Sequence, residues 1–266
     1  MKKILFALMF IFCIKDVLLS AVLFDPGYEW RSIKTEHFWI HYHQNLDYEA
    51  KRLSIIAEKV HNNLKDKIRW EPYFRTDVIL VDNQYSSNGF AIPIPSNRIQ
   101  IYISRPELDG LLNNFDDWLE LVFIHEYTHI LNIDSIHGFP TFTRYTCGRV
   151  CFPNIFIPTW LLEGNAVYHE SSYSIFGRNN STYTDMIMRM EILSDSLKSI
   201  DKASHFPREW PLGRVPYIYG GLFVEFLEKK YGKGTIADVF IENSYNILPY
   251  YDNTIPYILP FIDSSD

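Results

Sequence analysis

The sequence predicts an α+β fold in which a mixed N-terminal sheet with one helix is followed by a helical lobe. Three short β-rich runs lie before Pro106, at residues 37–42, 78–81 and 99–103, and beyond that proline the apolar residues recur at helical spacing. The chain has 266 residues, of which 47% are hydrophobic and 21% charged. This composition can bury a full globular core and lacks the low hydrophobicity of disordered proteins.

The first half of the chain follows a βαββ-like order. Residues 37–42, HFWIHY, alternate apolar or aromatic with polar side chains, as in a half-buried strand. In residues 47–68 the apolar side chains instead recur every three or four positions, which predicts a helix packed on the sheet. They are Ala50, Leu53, Ile56, Ala57, Val60, Leu64 and Ile68.

The second half of the chain is predicted to be helical, with helices near residues 116–132, 160–171, 182–197 and 216–231. Asp116 and Asp117 suit the start of the first, and Pro216 and Gly232 suit the start and the end of the last. Glycines and prolines between the first two predict a loop. The resulting organisation is a sheet-containing half at residues 22–110, a helical half at 111–245 and a tail at 246–266.

Residues 1–21 have the layout of a secretory signal peptide. Lys2 and Lys3 precede an apolar run at residues 4–14, which Lys15 and Asp16 end before it is long enough to span a bilayer. We therefore expect export, as a periplasmic or secreted protein. An uncleaved segment that anchors the protein to a membrane is the alternative.

The charge of the chain argues against nucleic acid as a partner. The formal net charge is −7, and removal of residues 1–21, which carry three lysines and one aspartate and so a net +2, takes it to −9. An acidic surface without long Lys/Arg runs repels phosphate backbones.

Cys147 and Cys151 are the two cysteines that follow the predicted signal peptide. In an oxidising compartment they could form a small-loop disulfide across Gly148, or they are two unrelated thiols; the sequence leaves both open.

The segment LVFIHEYTHIL contains the chemical signature of a zinc site. Helical residues four apart share a face, so the imidazoles of His125 and His129 can reach one ion, with Glu126 beside them. Zinc accepts imidazole nitrogen and lowers the pKa of a bound water, which an adjacent carboxylate can deprotonate. Two structural histidines on a partly buried helix are the alternative.

Two histidines leave zinc short of a ligand, and Glu163 in the segment PTWLLEGNAVYHE, residues 158–170, is the candidate for the third. The string from Trp160 to Glu170 resembles the third-ligand helix of gluzincin peptidases, in particular aminopeptidase N-type enzymes and bacterial peptidase-MA-like proteins. In that family the first glutamate of the string binds zinc. The resemblance thus implies one zinc per chain, held by His125, His129 and Glu163.

The resemblance extends to two further residues. Glu170 lies seven residues after Glu163 on the same helix face, where it can accept an imidazole N–H; a surface carboxylate is the alternative. The segment Val215-Pro216-Tyr217-x-x-Gly220 resembles the one whose tyrosine stabilises the oxyanion in these enzymes. Tyr217 is the matching residue, and Tyr219 is its competitor.

The chain also departs from that family. The spacer between His129 and Glu163 has 33 residues, longer than in aminopeptidase N, and no GAMEN-type sequence is present to hold a substrate's N-terminus. Residues 88–91 precede a β-like run and are a candidate edge strand for an extended peptide. The resemblance covers about residues 115–232.

The resemblance implies a thermolysin-like zincin domain with zinc in the cleft between its two halves, and it implies hydrolysis of extracytoplasmic peptides or proteins. Two alternatives remain open from the sequence. The domain could be a catalytically silent interaction module, against which the intact Glu126 argues, or a zinc hydrolase that acts on another bond.

The tail, residues 248–261, crowds apolar and aromatic side chains around prolines that deny it a regular helix. We expect it to pack on the helical lobe. Docking of a partner or of a further domain is the alternative.

Overall fold

The computed structural model describes residues 24–85, 87–107 and 112–246. The predicted signal peptide, residues 1–21, and the tail segment expected to pack on the helical lobe, residues 248–261, therefore lie outside the described residues. The chain divides into two units, residues 1–30 and 31–266. In the described part of the first unit, Asp25 accepts a hydrogen bond from the backbone N–H of Gly27 in a short turn.

The described part of the chain contains a five-stranded mixed sheet. Its strands are β1 (Trp30–Lys34), β2 (Phe38–His43), β3 (Thr76–Val81), β4 (Gly89–Ile92) and β5 (Arg98–Tyr102). They lie in the order β1-β2-β3-β5-β4, in which β3 is parallel to both β2 and β5, and β4 is antiparallel to β5. Among the described strands β4 thus forms one edge of the sheet.

Seven α-helices are present among the described residues. They are α1 (Asp47–Ile68), α2 (Trp118–Asp134), α3 (Phe139–Cys147), α4 (Thr159–Tyr173), α5 (Thr182–Leu193), α6 (Val215–Tyr231) and α7 (Thr235–Asn243). Together with the sheet they form a mixed α/β architecture that is compatible with the predicted α+β class.

Two apolar clusters hold the second unit together. In the first, the buried face of α1 and most of α2 pack against β2, β3 and β5. The second cluster joins α4, α6 and α7, and Ile187 of α5 packs into it. Because α2 contacts the sheet and α1 on one side and α4 on the other, it is the element that connects the two clusters.

The predicted helix at residues 47–68 coincides with α1, and the other predicted helices differ from α2, α4, α5 and α6 by at most four residues at either end. The sequence predicts a loop after α2. This prediction is wrong for residues 139–147, which form α3. Gly138 and Gly148 flank this helix at its two ends, and Pro140 lies in its first turn, where a missing N–H costs nothing.

Three further elements escaped the sequence patterns. α7 was not predicted, and β1 and β4 were not assigned as strands, β4 being singled out only as a candidate edge segment. These elements are short, with four to nine residues, so periodicity gives little signal.

Cys147, at the end of α3, and Cys151 are both free thiols in the structure.

The backbones of α4 and α6 cross in close contact through glycines. A Cβ atom added at Gly164 would overlap the backbone of Gly220, and one added at Gly220 would overlap the carbonyl oxygen of Trp160. Only glycine permits this approach. Because Gly164 adjoins Glu163 and Gly220 lies one turn after Tyr217, the crossing fixes these two side chains relative to each other.

We therefore expect Gly220→Ala to lower the free energy of unfolding by about 1–3 kcal/mol, because the added methyl must push the helices apart. Urea denaturation measures the change. Gly213→Ala is the matched control, since its Cβ would meet Phe206 at an ordinary 3.6 Å. Equal stability of the two variants would contradict the close crossing.

Candidate metal centre

The helix α2 places the HExxH residues in the interior of the protein. Its N-terminus is capped by Asp117, whose carboxylate accepts hydrogen bonds from the backbone N–H groups of Leu119 and Glu120. Fourteen of its 17 residues are buried, His125 and Glu126 among them. Such a helix presents its polar side chains to other protein groups and scarcely to water.

Three ligand-type atoms meet in a nearly equilateral triangle. The Nε2 atoms of His125 and His129 lie 3.2 Å apart, and Oε2 of Glu163 on α4 lies 3.3 Å from each of them. This carboxylate oxygen is buried and has no hydrogen-bond partner among the described residues. The structure therefore brings together the three side chains that the sequence singles out as ligands.

The dimensions of the triangle fit a zinc ion. In a tetrahedral site with ligand distances near 2.1 Å, neighbouring donor atoms lie about 3.4 Å apart. The donor set, two imidazoles and one carboxylate, is also the type that zinc accepts. The buried Glu163 oxygen that finds no donor in the protein is the atom that such an ion would satisfy.

The carboxylates at the triangle favour positive charge on the groups beside them. Burial raises the pKa of Glu163, but the charges and hydrogen bonds of His129 and His125 together outweigh it and hold that pKa well below the ordinary value. Burial and Arg178 lower the pKa of His125, yet contact with the carboxylates of Glu163 and Glu170 raises it to about 9. The carboxylates around the triangle thus favour a positive charge there.

Glu170 and Arg178 position His125 from behind. The Nδ1 atom of His125 lies 3.0 Å from Oε2 of Glu170, and Arg178 donates to the same carboxylate through Nε and Nη2, both at 2.7 Å. Burial raises the pKa of Glu170, but the guanidinium of Arg178 outweighs it and lowers the pKa to about 2. Nη2 of Arg178 also lies 2.7 Å from Nδ1 of His125. In the tautomer that carries its proton on Nδ1, His125 donates to the ionised Glu170, and its Nε2 lone pair is left for the triangle.

Glu126 lies between α2 and the edge of the sheet. A Cβ atom added at Gly89 of β4 would lie 2.8 Å from Cγ and 2.9 Å from Oε1 of Glu126, so only glycine leaves room for this side chain. Burial raises the pKa of Glu126 despite the opposing charges of His125 and His129. The carboxylate is thereby a stronger base than an exposed glutamate.

The structure separates the two candidate tyrosines. The ring of Tyr217 lies 6.3 Å from that of His125, and the guanidinium of Arg178 lies 4.9 Å from its centre. Burial and the charge of Glu163 raise its pKa to about 12, so its hydroxyl keeps its proton. Tyr219 instead donates to Glu191, in the core formed by the later helices.

Arg178 is the residue of this site that sequence reasoning missed. It lies in a 3-10 turn between α4 and α5, where a single arginine carries no spacing pattern. Its role depends on burial and on contacts with Glu170, eight residues away, and with His125, 53 residues away. No local signal could have identified it.

No protein-family model matches the chain, but individual known proteins are similar to it. An uncharacterised protein of Treponema pallidum (strain Nichols) is 28% identical over 217 residues, which are 81% of this chain and 19% of that protein. The chain thus spans about a fifth of the length of this relative. An aminopeptidase N family protein from Idiomarina loihiensis aligns over 82% of this chain and 40% of its own, with 13% identity and a TM-score of 0.48.

Within the described part of the chain, no helix has both the length and the apolar character needed to cross a membrane.

We expect Arg178→Met to lower the free energy of unfolding by about 3–5 kcal/mol, because it leaves the buried Glu170 carboxylate without its partner. Since the pKa of Glu170 is lowered from 4.5 to about 2, this stabilisation is present above pH 4.5 and is lost as the pH falls towards 2. Urea denaturation at pH 7 and at pH 3 measures both effects.

Arg69→Met is the control, because Arg69 pairs with Asp238 at the surface, where an ion pair contributes less than about 1 kcal/mol. Equal losses in the two variants, or a loss in Arg178→Met that does not shrink at pH 3, would contradict the role given to Arg178.

Proposed function

We propose that this chain is a zinc-dependent peptidase of the gluzincin type with a thermolysin-like fold. The observation that carries the proposal is the triangle of His125, His129 and Glu163, with the buried carboxylate of Glu126 beside it on the same helix. A bound zinc ion would supply a Lewis acid and a water molecule of lowered pKa. The remaining chemistry belongs to the side chains of this chain.

Glu126 is the proposed general base. It takes the proton of the attacking water and later passes it to the leaving amine. Its pKa, raised by burial, suits both transfers better than that of an exposed glutamate, because the ideal catalytic pKa lies closer to the operating pH.

Tyr217 is the proposed donor to the oxyanion. Its hydroxyl stays protonated at neutral pH, and the backbone crossing of Gly164 and Gly220 holds its ring beside Glu163. One well-placed donor of this kind contributes about 3 kcal/mol to transition-state stabilisation.

The edge strand β4 supports an extended peptide as the substrate. The backbone N–H of Tyr102 donates to the carbonyl of Asn88, so in this antiparallel ladder the next hydrogen-bonded pair is Phe90 with Gln100. The N–H and C=O groups of Ala91, which lies between such pairs, consequently point to the open edge. A peptide that added to this edge as a further strand would pass Glu126, which touches Gly89.

The predicted signal peptide favours an extracytoplasmic site of action, with extracellular or periplasmic peptides or proteins as substrates. Nucleic acid is not among the proposed partners, because the net negative charge of the chain repels a phosphate backbone.

We expect Glu126→Gln to retain the same amount of zinc as the wild type and to lose hydrolysis of a mixed peptide library, since the amide cannot accept a proton. Elemental analysis and mass spectrometry of the library provide the two measurements. Glu242→Gln, an exposed change on α7, is the control and should cleave as the wild type does. Undiminished cleavage by Glu126→Gln would overturn the mechanism.

Tyr217→Phe should lower kcat by about 100-fold with little change in KM, because the hydroxyl acts on the transition state alone. Tyr219→Phe is the matched variant, and we expect it to lower the melting temperature through loss of the bond to Glu191 while kcat is retained. The reverse pattern would assign the oxyanion role to Tyr219.

A further inference from the structure

A second cluster of histidines and carboxylates lies away from the HExxH triangle. His37 immediately precedes β2, His61 is on α1 and Glu71 follows α1. Oε1 of Glu71 lies 3.5 Å from Nε2 of His37 and 3.7 Å from Nε2 of His61, and all three atoms lie within 4.8 Å of one another. The three side chains line a cavity of about 240 Å³.

The ring of His61 has a nitrogen that the protein leaves without a partner. Its side chain is fully buried, and Nδ1 lies 2.6 Å from the hydroxyl of Tyr127. Nε2 faces Glu71 and has no hydrogen-bond partner among the described residues. A buried polar atom of this kind costs free energy unless a ligand satisfies it.

The ring of His37 stacks on that of His61, with the ring centres 3.8 Å apart, and Glu58 holds it at Nδ1. Its Nδ1–H donates to Oε2 of Glu58 at 2.7 Å, while Oε1 of the same carboxylate accepts the backbone N–H of His37 at 2.9 Å. This pairing places the ring proton on Nδ1 and leaves a lone pair on Nε2, which lies 3.5 Å from Oε1 of Glu71. A carboxylate behind a ligating histidine is the usual support of a metal site, and Glu170 stands in the same relation to His125.

We propose that His37, His61 and Glu71 form a second binding site, for a divalent transition metal ion such as Zn²⁺. Two imidazoles and one carboxylate are ligands that such ions accept. The carboxylate of Glu36, 3.9 Å from Nε2 of His37, lies at the mouth of the site as a further oxygen donor. Glu71 is half exposed, so an ion can enter from solvent.

The second site is separate from the catalytic one and yet touches the same helix. Tyr127, which contacts His61, lies two residues from both His125 and His129 and so on the opposite face of α2. An ion at the second site would join the start of β2, the middle of α1 and the segment after α1. Binding to the folded state alone stabilises a protein, so the role we assign to the site is structural.

Zinc stoichiometry in four forms of the full chain tests the proposal. They are the wild type, His37→Ala/Glu71→Gln, His129→Ala/Glu163→Gln and the combination of both pairs. The cavity pair avoids the buried His61, so that the fold is kept; circular dichroism without metal checks this. We expect about two, one, one and no zinc ions per chain in equilibrium dialysis.

Thermal unfolding gives a second readout. In His129→Ala/Glu163→Gln, added Zn²⁺ should raise the melting temperature, and the combined variant should lose this shift. Glu49→Gln on α1 serves as the control and should keep both zinc ions. A Co²⁺ titration of the wild type should show two steps in its visible absorption.

The outcomes separate the two sites. One zinc ion in the wild type and none in His129→Ala/Glu163→Gln would overturn the second site and leave the proposed peptidase intact. One zinc ion that is lost only from His37→Ala/Glu71→Gln would establish the second site and refute the first. A second ion that persists in the cavity variant would be adventitious and would also overturn the proposal.

Discussion

The structure depends on the burial of a helix that carries polar side chains. α2 lies in the interior along nearly its whole length, so a polar group on it costs free energy unless it has a partner in the protein. The hydroxyl of Thr128 donates a hydrogen bond to the carbonyl of Ile124. The backbone carbonyl of Asn132 accepts from Asn154, and its Oδ1 accepts from Asn165. His125 is partnered by Glu170. Asn165 and Glu170 lie on α4, and Asn154 lies in a 3-10 turn before it, so these contacts fix both segments against α2.

Asp134 at the end of α2 shows how one buried carboxylate organises distant segments. It accepts hydrogen bonds from the indole N–H of Trp70 and from the guanidinium groups of Arg144 and Arg149. Two arginines against one carboxylate leave a net positive charge, and the face of the Phe152 ring attracts both guanidinium groups at 5.4 and 5.3 Å. The long spacer between α2 and α4 is therefore held against the end of α2 at this point.

The sequence predicted what local patterns can encode. The helical spacing of apolar residues marks α1 almost to the residue, and the spacing of His125 and His129 places both rings on one face. The position of Glu163 came from a resemblance, and the structure sets it against the two histidines. The roles given to these residues stay predictions until metal and turnover are measured.

Other features depend on contacts between segments far apart in sequence, and no window of residues contains them. Arg178 approaches His125 across 53 positions, and the choice between Tyr217 and Tyr219 depends on which way α6 is rotated against α4. The cluster of His37, His61 and Glu71 likewise joins the residue before β2, a helix and a loop. Tertiary packing alone decides such placements.

The contacts of Arg149 have a consequence for the cleft. Besides Asp134, this side chain donates to the carbonyl of Pro93 and to Oδ1 of Asn97, in the turn that joins β4 to β5. The spacer and the edge strand are thus mechanically coupled. A displacement of the spacer must either break these three charge-assisted hydrogen bonds or move the β4–β5 turn with it. A force applied at the exposed surface of α3 would accordingly be transmitted to the strand that touches Glu126.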